Sequence, residues 1–138
     1  TFTTPAMSLK VPGAGAQYSM ATVDAEGKPL DGSKNYRLRL PPDVPVKDFW
    51  SAVVYDNQTR SLLQTDQAYP SLMSQRGVEA NPDGSYDVFF GPKAPAGKES
   101  NWIQTIPGKG WSVILRFYGP LEPWFDQTWR PGEFELIG

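Results

Sequence analysis

Residues 111–118 read WSVILRFY. Every second position, Trp111, Val113, Leu115 and Phe117, is large and apolar, while Ser112, Ile114, Arg116 and Tyr118 fill the places between. Successive side chains of a β-strand point to opposite faces, so this octet predicts a strand with one unbroken apolar side and one mixed side. Residues 35–40, NYRLRL, repeat the pattern more strictly: Tyr36, Leu38 and Leu40 share a face from which Arg37 and Arg39 are excluded. That is a strand with one buried and one wet side, and Pro41-Pro42 ends it because proline has no N–H for the ladder. Residues 49–56, FWSAVVYD, are apolar on both faces and predict a central strand. The core expected from these runs is Tyr36, Leu38, Phe49, Val53, Trp111, Val113, Leu115 and Phe117.

The rest of the chain carries shorter versions of the same signal. Residues 17–24 alternate, with Tyr18, Met20 and Thr22 on one side, and turn at residues 24–27. Residues 56–59 are expected to turn the 49–56 strand into a hairpin partner at residues 61–63, and residues 66–77 to form a loop with one helical turn. Asn81-Pro82-Asp83-Gly84 is a turn that launches a strand over residues 85–90. An irregular loop follows over residues 91–100, then a short helix or turn within 120–128 and a closing strand over 134–137. Seven or so short strands, with no ten-residue amphipathic helix among them, predict an all-β fold: an antiparallel, jelly-roll-like β-sandwich with at most one or two short helical turns. An open barrel is the alternative. Residues 1–16 read as an extended arm or linker and residues 17–138 as a single domain.

Composition closes off several chemistries. The 138 residues include no His and no Cys, so neither a Ser-His-Asp nor a Cys-His arrangement can be built, and the commonest zinc ligands are missing. No catalytic, cofactor or metal motif is recognisable. With 13 basic and 15 acidic residues interspersed, there is no basic stripe to engage a nucleic-acid backbone. The longest apolar runs are strand-sized, far short of a membrane-spanning helix, so membrane insertion is not expected. The chain starts at Thr1 rather than Met, and a piece of something longer is the expectation.

A series of short tags gives the sequence a family likeness. Leu30-Asp31-Gly32 precedes Tyr36-x-Leu38, and Phe49-Trp50-Ser51 precedes Tyr55-Asp56. Then come Asn81-Pro82-Asp83-Gly84-Ser85, Glu99-Ser100-Asn101-Trp102, Leu115-Arg116-Phe117-Tyr118 and Trp129-x-Pro131. In this order, over about residues 18–138, they resemble the uncharacterised family called domain of unknown function 1214. The resemblance implies a β-rich, jelly-roll-like domain that commonly ends a longer chain behind a domain of unknown function 1254. It also implies bacterial, often exported or periplasmic, proteins, and no agreed activity.

Six residues are candidates for ligand contact. Glu99, Asn101 and Trp102 place a carboxylate, an amide and a large aromatic on one loop, where binding groups concentrate; the structural alternative has Asn101 holding a turn and Trp102 plugging the sandwich. Arg116 interrupts an apolar strand, and either pairs internally with a carboxylate such as Glu99 or Asp56 or clamps an anionic ligand. Trp124 and Trp129, with Phe125, form an aromatic group that can stack on a sugar ring, close the core as a lid, or meet a neighbouring domain. Acidic pairs such as Glu122 with Asp126 are a weak signal for acid–base chemistry. The leading expectation is a non-catalytic module packing on a companion domain or protein partner, self-association included. The alternatives are a module binding carbohydrate or another small ligand, and the accessory half of an enzyme site.

Overall fold

The WSVILRFY strand lies at the middle of the larger of two sheets in a computed structural model, which describes residues 2–3, 15–57, 71–75 and 77–137. The strands are β1 (Phe2–Thr3), β2 (Ala16–Ala21), β3 (Tyr36–Leu40), β4 (Val46–Asp56), β5 (Ser71–Met73), β6 (Tyr86–Gly91), β7 (Trp102–Gln104), β8 (Trp111–Pro120) and β9 (Phe134–Leu136). The only α-helix among the described residues is the single turn α1 (Glu122–Phe125), and a 3-10 turn at Glu99–Asn101 leads into β7. One sheet has the order β1-β2-β8-β4-β5 and the other β7-β6-β3-β9. Two separate sheets facing each other make a β-sandwich, which excludes the barrel alternative. Every strand pairing is antiparallel except β6 with β7, which is parallel.

The alternation in β8 and β3 acts as expected. Trp111, Val113, Leu115 and Phe117 are fully buried, and so are Leu38 and Leu40, with Tyr36 nearly so. Rings from opposite sheets interlock between the layers: Trp111 stacks on Phe90 at 5.0 Å and meets Tyr36 and Phe134 edge-on, while Trp50 meets Tyr86 edge-on at 5.1 Å. Such pairs add to the stabilisation their burial already gives.

Strand β4 corrects the expected core. Trp50, Ala52 and Val54 point inward, and Phe49 and Val53 are half-buried on the outer side. The pattern FWSAVVYD is apolar at both parities, so alternation could not choose between them. A shift of register between Val46 and Phe49, where β4 runs beside Pro120 and Tyr118, accompanies that choice. Gly119 sits at this irregularity with φ 70°, and a side chain there would collide with Lys47 and Asp48.

Two further expectations change. Residues 71–73, read as loop, form the edge strand β5, paired with β4 through Leu72 opposite Ala52. A three-residue strand is too short to show a period of two. The expected partner strand at residues 61–63 lies outside the described residues, as does most of the arm. At the chain start, Phe2 and Thr3 pair with Ala21 and Met20.

The outer face of the smaller sheet carries ion pairs beside Phe89 and Trp102. Arg39 holds Asp87 through two hydrogen bonds at 2.9 and 3.1 Å, and Arg37 donates to Glu135 at 3.0 Å. The Arg39 guanidinium keeps the Asp87 carboxyl below the ordinary carboxylate range, with the Asn81 amide assisting. A carboxyl depressed by folding adds stability above its unfolded pKa of about 4 and loses it as pH falls through the lower folded value. Acid melts of the parent should therefore steepen below about pH 4, and Asp87→Asn should flatten that slope while costing ~1 kcal/mol or less at neutral pH. Asp31, Asp83 and Asp126, each held low mainly by the hydroxyl two residues on (Ser33, Ser85 and Thr128), keep their part of the slope in the variant. Identical acid melts would show that the Arg39–Asp87 pair contributes nothing.

Candidate interaction face

The outer face of the larger sheet differs in kind from that of the smaller one. With the odd positions of β8 in the core, Ser112, Ile114, Arg116 and Tyr118 turn outward, and the register fixes what lies beside each. One row across the sheet runs Tyr18, Arg116, Ser51, Met73; the next runs Met20, Ile114, Val53, Ser71. A third brings Ala16, Tyr118 and Phe49 together, the last two rings stacked at 4.2 Å. Tyr18 is 42% exposed, and the other large apolar groups of these rows are half-buried. None of them belongs to the core cluster or to the residues packed against it. Arg116 is the one charged residue in these three rows.

The six candidate residues do not converge. Glu99 is exposed on the 3-10 turn, and Trp102 stands beside Phe89 at the edge of the smaller sheet, its indole N–H donating to the Gly91 carbonyl at 3.0 Å. Asn101 is buried: its side-chain oxygen accepts the Glu79 N–H at 2.8 Å, and its amide donates to the carbonyls of Glu79 at 2.8 Å and Asp87 at 3.0 Å. All of its strong hydrogen-bonding positions except one acceptor site are directed at backbone, so Asn101 ties the 79–81 segment to β6. Arg116 lies on the other sheet.

The internal ion pair expected of Arg116 is not formed. Its side chain is exposed, and among the described residues it has no carboxylate partner. Strand parity is the reason: Leu115 and Phe117 take the core, which sends Arg116 outward, whereas Asp56 is on the inward parity of β4. Asp56 is held instead by Lys109 at 2.8 Å. Trp124 and Trp129 are brought together, both against Phe117, with ring centroids at 4.6 and 5.6 Å. Each is only 7% exposed, and Trp129 donates its indole N–H to the Pro41 carbonyl at 3.1 Å. They close one end of the core as a lid and offer no open ring face for stacking.

Two of the tags that mark the sequence, at residues 30–32 and 81–85, hold turns in place. Asp31 donates its N–H to the Tyr36 hydroxyl at 3.0 Å, which locks the 30–32 segment onto β3. Asp83 accepts the Ser85 N–H and hydroxyl, and Asn81 donates to Ser85 and Asp87, building the turn before β6. Among the described residues there is no group of three acidic side chains placed to hold a metal ion, and no helix is long and apolar enough to cross a membrane. A shallow depression between residues 33–35 and 136–137 exposes only Lys34 as a charged group.

The outer face was missed from sequence, although its signal was there. Strands apolar on both sides suit a sheet covered on both sides. A two-layer sandwich covers only one, so the second apolar parity of FWSAVVYD, together with Ile114 and Tyr118 in WSVILRFY, is left over.

These observations define an all-β sandwich domain with ion pairs on the outer face of one sheet and a mostly apolar outer face on the other. The model of the family described as protein of unknown function (DUF1214) matches residues 15–122, and the chain belongs to that family. Among curated proteins there is no match. The chain is similar to the VPA0106 protein from Vibrio parahaemolyticus, with 26% identity and a TM-score of 0.77, over 94% of this chain and 32% of that one. A putative uncharacterized protein from Burkholderia cenocepacia shares the fold at 22% identity and a TM-score of 0.60, over 99% of this chain and 34% of that one. The chain thus spans about a third of the length of these solved relatives.

Proposed function

We propose that this domain is a non-catalytic packing module, which docks through the outer face of the β2-β8-β4-β5 surface on a companion part of a longer polypeptide. The observation that carries the reading is the sidedness of the sandwich. On the smaller sheet the outer positions carry the Arg37–Glu135 and Arg39–Asp87 ion pairs with Phe89 and Trp102 beside them, while the larger fills its own with Tyr18, Phe49, Val53, Ile114 and Tyr118 around the single charge of Arg116. Apolar side chains gathered on the outer face of a sheet, with Tyr18 exposed among them, support an interaction site. The solved relatives, about three times as long as the match, support a companion within the same chain, and the family likeness implies one of the domain of unknown function 1254 type.

Docked domains that share a large apolar interface unfold together, while weakly coupled ones unfold separately. In the full-length gene product, Ile114→Glu with Tyr118→Glu should split a joint thermal transition into two. The same pair in the 138-residue chain should lower its midpoint while keeping a single cooperative transition, because both side chains lie outside the core but Tyr118 loses its stack on Phe49. A full-length transition that stays single and unshifted would remove this face from the interface.

A further inference from the structure

The apolar face also carries a specification for what covers it. Arg116 stands in its middle row, between Tyr18 and Ser51 on the neighbouring strands, and two residues from Ile114 and Tyr118 along its own. It is exposed and forms no hydrogen bond or ion pair with the described residues. Arg37 and Arg39, on the other sheet, each hold a carboxylate. An unpaired guanidinium covered by an apolar surface would lose its water without replacement, which is strongly unfavourable unless an anion meets it.

We infer that the companion surface is apolar and presents one carboxylate opposite Arg116, the pair setting the register of docking. The inference rests on the packing reading above. A second copy of this chain fits the specification poorly: the three rows contain no Asp or Glu, so these rows laid upon each other offer Arg116 no anion. The guanidinium fork matches a carboxylate bidentately, and Arg and Tyr are the side chains that most often anchor the centre of an interface.

The test modifies two side chains of the same row, Arg116 with phenylglyoxal and Tyr18 by nitration, in the 138-residue chain and in the full-length gene product. Both should react about tenfold more slowly in the full-length protein, with Arg130, exposed beyond α1, as the unchanged internal standard. In the full-length protein Arg116→Glu should restore Tyr18 nitration, whereas Arg116→Lys, which keeps the charge, should retain most of the protection. An unchanged thermal midpoint for Arg116→Glu in the 138-residue chain separates lost docking from lost folding. If Tyr18 is protected but Arg116 is not, or if Arg116→Glu leaves Tyr18 protected, the carboxylate is refuted and the docking stands. If Tyr18 reacts equally in both proteins, the docking fails and the carboxylate with it.

Discussion

Replacing Trp111 by Ala should cost ~3–5 kcal/mol of folding stability, the range for truncating a large buried aromatic. Trp111 is fully buried, stacks on Phe90 across the sandwich and meets Tyr36 and Phe134 edge-on. Its loss leaves an indole-sized void shared by both sheets, and the surrounding rings cannot collapse into it without breaking strand register. Among the described residues its indole N–H has no hydrogen-bond partner. A buried donor without a partner is itself unfavourable, so Trp111→Phe loses some volume and sheds that donor. Its stability should stay within about 1 kcal/mol of the parent. Urea melts of the two variants check this: a Phe variant as weak as the Ala variant would show that the indole N–H is satisfied or that packing alone decides.

Asn101→Ala should be the next most damaging change, at ~2–4 kcal/mol, although it removes a small polar side chain. The Glu79 N–H and the carbonyls of Glu79 and Asp87 all lose their partner together. Asn101 is only 6% exposed, so water cannot readily replace it. Asn101→Asp should not rescue, because a carboxylate cannot donate to two carbonyls. A variant that melts with the parent would release Asn101 from its structural role and return the 99–102 loop to consideration as a binding site.

The two residues show what the sequence could and could not reveal. Trp111 belongs to a strand whose alternation is complete, so its burial followed from the order of side chains alone. Tyr36 and Leu38 were legible for the same reason, since arginines mark the opposite face. Phe49 and Val53 were assigned to the wrong side because β4 is apolar at both parities, and only pairing with β8 orients it. The bonds of Asn101 reach 14 and 22 residues back along the chain, a relation that no local pattern encodes. The apolar neighbours of Arg116 point to an internal ion pair or an anion clamp. The same neighbours, distributed by parity, form the apolar face on which it stands. The Trp124–Trp129 pair was recognised as a cluster, but its choice among lid, interface and stacking platform depends on Phe117 lying beneath it.

Hydroxyl-radical footprinting of the full-length gene product beside the 138-residue chain measures the covering of the apolar face most directly. Tyr18, Phe49, Ile114 and Tyr118 should be oxidised about tenfold more slowly in the full-length protein. Leu136, 48% exposed on the smaller sheet, should react equally in both. Equal oxidation of the four face residues in the two proteins, or protection confined to the charged sheet, would contradict the assignment of this face as the docking surface.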